Sequence, residues 1–504
     1  MKINLEPLES IKEEDLRKGL LNLKIDGIFS QSMGVLISGT FIVPLLLLLG
    51  ADSFYVGLLS TIISLASLSQ LLSLNIMNLI NGRKKVSVIF SFLARTSLLI
   101  LSICLLIKLI NNAIYLMMFL ALFYFLTNTS SGAFNYWMLE LVPQNIRGRY
   151  FASRTRIALL LGSIIGLIAV FYLDTIGNTI STYSQIMFIA AVLGLIGIYF
   201  LARIPEPKFN GSEPFSLRAI SEFLKSENLK KHFQAISFLY LAINLSTPFF
   251  VYYMLTMLNL SISWVFIITI TGQIFTILIL PKWGWLIDKY GVKAVLRFSA
   301  YILILTLLLW PFTTLPNRHI FSIPLLFIIY MIMGATMGGL NLSSNLIAYY
   351  LARDKKASYG LSLNNIFISI GSIVGSFLGA LLSIPTSYME LSMTFNLYLS
   401  EKVTIFIIDL KGLDFIFVIS ALLGFSSLSL FRRYKIDDEK DDDRNYMEIV
   451  IGFKRFIRNS RDQILFVISR GIRHLNYRNG KLKSLVPFNA ERRKTKQPIR
   501  CRHL

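Results

Sequence analysis

Long apolar runs, separated by short polar segments, dominate the pattern along the chain. Twelve of them approach the roughly 20 residues that a helix needs to cross the hydrocarbon layer. They lie near 27–49, 55–79, 87–108, 114–138, 155–174, 184–203, 234–257, 262–283, 294–314, 321–349, 358–384 and 412–431. Apolar positions within a run are continuous rather than alternating, which predicts helices and not the strands of a barrel. The pattern therefore predicts an all-α polytopic membrane protein with twelve transmembrane helices, numbered here as spans 1 to 12. Between spans 6 and 7, Pro205, Pro207, Gly211 and Pro214 interrupt any helix. Phe215 to Leu224 then reads as a short amphipathic helix, with Leu217, Ile220, Phe223 and Leu224 on one face. The expected organisation is an N-terminal segment (1–26), a first bundle (27–203), a linker (204–233), a second bundle (234–431) and a tail (432–504).

An offset of 209 residues lays the second six runs on the first six. Tyr150 then meets Tyr359, Ser153 meets Ser362, Gly82 meets Gly291 and Lys84 meets Lys293. Gly162 and Gly166 meet Gly371 and Gly375. In apolar sequence Leu and Ile match by chance easily, whereas Gly, Tyr and Lys at one common offset do not. Parallel repeats of six spans are a transporter architecture, so the expected fold is two pseudo-symmetric six-helix bundles.

Composition strengthens this reading. Charged residues are 15% of the chain and hydrophobic residues 54%; soluble domains carry about 25% charge. A soluble surface could not be coated, and a disordered chain would need far less hydrophobicity. The net charge of +22 is a loop effect and not a sign of nucleic acid, because cations gather in cytoplasmic loops. Arg83, Lys84, Lys85, Arg147, Arg149, Lys225, Lys230, Lys289 and Arg353 fall on one side. The opposite loops, Ala51–Phe54, Asn111-Asn112, Asp174–Thr182 and Asn259–Ser261, are short and poor in cations. That places the first set in the cytoplasm, with both termini. The opening 25 residues are mixed-charge and do not read as a signal peptide. The expected location is the cell (plasma) membrane, multi-pass.

After span 8 the chain reads Gly284-Trp-Leu-Ile-Asp288-Lys-Tyr-Gly291-Val-Lys293. The Gly, the Asp four later, the Gly three later and the following cation resemble the cytoplasmic loop motif of the major facilitator superfamily. Gly284 would let two helices approach, Asp288 would place an anion at a helix end, and Gly291 would make the turn. In the first half Gly82, Arg83 and Lys84 are present, but Leu79 stands where the Asp belongs and Asn75 where the Gly belongs. The inner gate of that half is therefore expected to rest on hydrogen bonds and not on an ion pair. The expected gating set is Gly284, Asp288, Gly291, Lys293, Gly82, Arg83 and Arg353, the last as the partner of Asp288. The resemblance covers about residues 20 to 431.

The resemblance also implies a central cavity lined by spans 1, 4, 7 and 10, reached by a small-molecule substrate. Amides in hydrocarbon are costly unless paired or wet. The candidate substrate-binding residues are Gln31, Asn128, Asn135, Tyr136, Asn244, Asn341 and Asn345, and inter-helix hydrogen bonding is the rival role for each. Arg95 stands alone as an intramembrane charge, about nine residues or roughly 13 Å into span 3. It is either functional or a snorkelling side chain. No carboxylate is expected at its depth, since Asp26 and Glu140 are read as lying at cytoplasmic ends. A coupling ion is therefore open, and few buried charges favour a neutral or amphipathic substrate. Gly371, Gly375 and Gly379 form a small-residue stripe, read either as a sliding surface between the halves or as static packing.

His232, His319, His474 and His503 have no ligand spacing, and Cys104 and Cys501 are not expected to meet. No phosphate-binding Gly-rich loop and no catalytic constellation appears. No cofactor, no metal, no catalytic residue and no nucleic acid is expected. The tail holds 20 Lys and Arg against nine Asp and Glu. Ile449 to Leu475 mixes Phe, Ile and Leu with cations and suits a helix on the lipid bilayer, against anionic lipid. The sequence thus reads as a secondary transporter working by alternating access. The alternative is a non-transporting sensor that signals through its basic tail.

Overall fold

A computed structural model places the chain, and the description covers residues 6–9, 11–209, 211, 225–314, 319–351, 357–398, 402–434, 446–449 and 451. The expected helix at Phe215–Leu224, Arg353 and the expected surface helix beyond Ile451 lie outside those residues.

Among the described residues twelve helical segments are long and apolar enough to cross a membrane. They are Glu13–Leu48, Ser53–Ile80, Arg83–Leu106, Ala113–Leu141, Arg149–Ile176, Ile180–Leu201, Glu227–Thr256, Ile262–Tyr290, Val292–Thr313, Ser322–Ala348, Leu363–Thr386 and Asp414–Arg433. Side chains such as Leu160 and Phe171 stand exposed along them, as lipid-facing positions do. Residues up to Tyr446 belong to one compact unit, built from two bundles of six spans. In the first bundle span 1 packs on spans 5 and 6, and span 3 on spans 4 and 6. The second bundle repeats the plan, with span 7 on spans 11 and 12 and span 9 on spans 10 and 12.

Local chemistry explains the helix ends. The short loops at one end supply N-caps: Asp52 accepts from the Tyr55 amide, Asn112 from that of Ile114, and Thr179 from that of Thr182. Inside the bundles span 2 has a turn at Leu68, and spans 1 and 7 are interrupted too. Span 1 stops at Leu36 and resumes at Gly39, with Ser38 extended between (φ −72°, ψ 167°). Span 7 stops at Ser246 and resumes at Phe249 after Thr247-Pro248, where proline has no amide to donate. Ser38 and Thr247 are related by the same 209-residue offset. Carriers of this repeat type bind their solutes at such discontinuities.

One element departs from the sequence reading. Between spans 11 and 12 an antiparallel hairpin pairs β1 (Glu390–Tyr398) with β2 (Lys402–Lys411). Leu391 lies opposite Leu410 and Met393 opposite Ile408. Lys411 bridges Glu390 and Asp409, each at 2.8 Å. The Asp409 hydrogen bond first, then that of Glu390, holds its ammonium pKa above the ordinary value. Strict alternation of Leu391, Met393, Phe395 and Leu397 with Ser392, Thr394 and Asn396 was the available signal, hidden between two spans of continuous apolarity.

Candidate functional site

The two bundles touch at the end that carries the Asp52, Asn112 and Asn259 loops. Span 2 lies along span 11: Gly57 abuts Ala380, Thr61 donates to Ser376 Oγ at 3.1 Å, and Ser67 donates to Ser369 Oγ at 2.7 Å. Span 5 meets span 8 where Gly166 leaves room for the Phe266 ring and where Asp174 accepts from Ser263. Phe41 of span 1 packs edge-on against the same Phe266 (5.7 Å between centroids). Beyond Ser67 and Ser369 the bundles diverge toward the cation-rich end. Among the described residues no ion pair links them there.

A cavity of about 470 Å³ opens below the Ser67–Ser369 contact. Gln70, Asn135, Tyr136, Asn365 and Ser369 give it polar walls, with Leu71, Leu74 and Ile366 between them. Of the candidates, Asn135 and Tyr136 line this cavity. The others are held by neighbours. Asn128 donates to the Tyr124 carbonyl and accepts from Gln70 Nε2 (3.2 Å). Asn244 donates to the Tyr240 carbonyl and to Ser372 Oγ. Asn341 accepts from the Tyr240 hydroxyl at 2.5 Å, and Asn345 accepts from Asn364 at 3.3 Å. Gln31 packs against Gly162. Gln70, Asn364 and Asn365 were missed, because they sit in spans 2 and 11, outside the four spans searched for amides.

A second cavity, of about 350 Å³, lies inside the first bundle between spans 1, 3, 4 and 5. It contains Arg95 together with Asp26 and Arg154, and this corrects two expectations. Asp26 is no helix-end residue: the helix of span 1 runs unbroken from Glu13 to Leu36, and Asp26 is 4% exposed. A carboxylate therefore does share the surroundings of Arg95. Hydropathy had placed the start of span 1 at residue 27, although the helix enters much earlier. Arg154 donates to Asp26 Oδ2 at 3.4 Å and to the Leu23 carbonyl at 3.0 Å.

The cytoplasmic-type loops differ between the halves. Arg83 is buried, takes the Glu206 carboxylate on its backbone amide (2.7 Å) and side chain (3.3 Å), and also pairs with Glu140. The expectation of hydrogen bonds without an ion pair in this half is thus overturned. Glu206 was invisible to it because it lies in the linker, 123 residues from Arg83 in sequence. The turn before Arg83 is made by Asn81 (φ 55°, ψ 45°), with Gly82 extended. In the second half Gly291 has φ +88°, a value that suits glycine. Lys293 is buried, donates to the Tyr434 carbonyl (2.7 Å) and lies over its ring. Gly284 does not mediate a close approach, since a Cβ there would meet nothing within 4 Å. Spans 8 and 10 cross instead at Gly272 and Gly334. Asp288 is exposed, and among the described residues no cation pairs with it. The Gly371, Gly375 and Gly379 stripe packs on Ser237, Leu241 and Leu245 of span 7. That contact is inside one bundle, so the sliding-surface reading is overturned. Among the described residues no group of His, Cys, Asp and Glu could hold a metal ion.

A search of curated protein sequences gives no match. Solved structures similar in fold include the nucleoside transporter NupG (TM-score 0.60, 18% identity, covering 83% of this chain and 100% of that one). A bacterial homologue of the human lysosomal transporter Spinster, inward-facing and unoccupied, gives a TM-score of 0.59 at 11% identity, covering 87% and 99%. A mutant of the peptide transporter POT in complex with sulfate gives 0.59 at 13% identity, covering 82% and 94%. The sequence profile of the Major Facilitator Superfamily matches residues 27–376 and 233–469. With twelve spans in two repeated bundles and matches over most of its length, the chain belongs to the major facilitator superfamily.

Proposed function

We propose that the protein is a secondary active transporter that moves a small solute by alternating access, here in its inward-facing state. The observation that carries this is the asymmetry between the ends. The bundles close on each other from Gly57 and Ala380 to Ser67 and Ser369, and a polar-walled cavity opens below. A single-site carrier needs that geometry: one end sealed, the other continuous with solvent, and two rigid bodies free to exchange these roles. The cation-rich loops at the open end support a cytoplasmic orientation for it, and the cell membrane is the location proposed. The contacts that seal the other end are small side chains, the Phe266 ring and a few hydroxyl hydrogen bonds, the neutral bonds worth about 1 kcal/mol each, so they can separate reversibly. Nothing favours the receptor alternative.

Flux into proteoliposomes tests the reading. The solutes named for two of the structural neighbours, nucleosides and peptides, join sugars, amino acids and organic acids on the panel. Uptake above that of protein-free liposomes for one class is expected, and uptake of none refutes transport. Orientation is tested separately, because a membrane-impermeant thiol reagent added outside should label a cysteine at Asn259 and spare one at Gly82.

A further inference from the structure

We infer that the cavity inside the first bundle is a carboxylate subsite, in which Arg95 receives the anionic end of a monoanionic, ring-bearing solute. The inference rests on the transporter reading and names its substrate class.

Arg95 is 6% exposed, deep in span 3. Its one hydrogen bond is from Nη1 to the Ser91 carbonyl, at 3.3 Å, and Nε has no partner. Asp26 is near enough to interact electrostatically but makes no ion pair with it. Asp26 is instead engaged by Arg154 at 3.4 Å and by Ser30 at 3.2 Å. Two guanidinium groups thus share one carboxylate, and the cavity holds one positive charge in excess. Thr127 presents a second buried and unpartnered polar atom, Oγ1. A buried cation without a counter-ion is strongly disfavoured, and one carboxylate would neutralise this one through charge-assisted bonds.

The fold does not need the charge. At the 209-residue offset, Asp26, Arg95 and Arg154 correspond to Ala235, Ile304 and Leu363, all fully buried. The same backbone plan therefore packs with hydrocarbon at all three positions. Glycines make room for the charged versions. A Cβ on Gly194 would meet Arg95 Cγ at 2.7 Å, and one on Gly27 would meet Arg154 Nε at 2.7 Å. In the second bundle Gly424 faces Ile304 in the way Gly194 faces Arg95.

The remaining walls define the rest of the ligand. Phe123, Tyr124 and Phe134 line the cavity, and the break of span 1 at Ile37 and Ser38 borders it. A volume of about 350 Å³ falls at the small end of ligand pockets. An aromatic or similarly flat body of modest size fits, with its carboxylate toward Arg95.

Calorimetry on the purified full-length protein tests this with three matched pairs: benzoate and benzamide, nicotinate and nicotinamide, 3-phenylpropionate and 3-phenylpropionamide. At least one carboxylate should bind about tenfold or more tightly than its amide. The preference should vanish in Arg95→Met and survive in part in Arg95→Lys, which keeps a charge but not the fork. Should the Met variant misfold, Arg95→Gln carries the same comparison. Misfolding of both makes Arg95 a structural strut and overturns the inference. So do equal affinities within every pair, absence of binding, or a carboxylate preference that persists without the arginine. Each of those results leaves the transporter reading standing, because that reading is decided by flux.

Discussion

Span 1 breaks at Ser38 and span 7 at Thr247, and around each break the two bundles fill the same space with different chemistry. The first bundle buries ions: Asp26, Arg95 and the Arg83–Glu206 pair. The second buries aromatic rings. Trp310 stacks on Phe250 at 4.4 Å and packs beside Phe417, and Phe233 stacks on Phe367 at 4.8 Å. Beside its break the polar contacts are neutral, as in Tyr240 with Asn341 and Asn244 with Ser372, and its buried ions, Lys293, Arg297 and Asp414, lie near the starts of spans 9 and 12. Common helix breaks with divergent fillings show which link of the chain sets what. Apolar periodicity and helix-breaking residues specify the bundle, and charge beside the break is laid over it in one half only. A buried ion is costly for folding, so ions placed beside the break in one half only point to work that half performs.

The most severe test of two bodies moving against each other is to join them. Thr61→Cys with Ser376→Cys replaces hydroxyls 3.1 Å apart on facing spans. Oxidation should form a disulfide, abolish flux in proteoliposomes and leave the protein folded, with reduction restoring transport. Unchanged flux in the cross-linked protein would mean that the sealed end never opens.

Next in size is the ion pair that distinguishes the first-half loop. Arg83→Met leaves Glu206, 1% exposed, without its counter-charge, and breaking a buried pair costs about 3–5 kcal/mol. Thermal unfolding in detergent should shift down accordingly. Lys293→Met removes a charge-assisted bond to the Tyr434 carbonyl and should cost about 1.5–3 kcal/mol. Equal losses would erase the contrast between the loops.

Much of this was legible beforehand. The twelve spans and the duplication follow from residues next to one another or from one constant offset. Three features did not follow, each for a physical reason. Glu206 meets Arg83 across 123 residues, and no local pattern records such a pairing. Asp26 reads as a helix-end residue because hydropathy marks where apolarity begins, not where a helix does. The amides of spans 2 and 11 escaped because the resemblance that selects spans 1, 4, 7 and 10 does not say how the bundles tilt. With one end closed, spans 2 and 11 form the upper wall of the open cavity.

Glycines sharpen the comparison at smaller scale. Gly371 presses on the Ser237 carbonyl of span 7, whereas Gly284 faces open space. Gly371→Ala forces the two helices apart and should destabilise by about 1–3 kcal/mol. Gly284→Ala sits on a helix with room for the methyl group and should be neutral or stabilise by up to about 1 kcal/mol. Melting curves of the two variants decide this, and a marked loss for Gly284→Ala would restore it as a packing residue.

Asp288 should show the smallest effect on stability and still matter for function. It is exposed in this open state, where an ion pair would contribute at most about 1 kcal/mol. Asp288→Asn should therefore melt within about 1 kcal/mol of the wild type. On the proposed alternating-access cycle its role would lie in the opposite state, where the cation-rich ends would approach and the carboxylate would be partly desolvated against a cation or a helix N-terminus. Removing the charge then biases the protein toward the open state described here. Flux should fall while the fold is kept, and a cysteine at Asn365, on the wall of the open cavity, should label faster from the cytoplasmic side. Lost stability with flux unchanged would reverse the assignment and make Asp288 a strut of the resting loop, as Arg83 is in the other half.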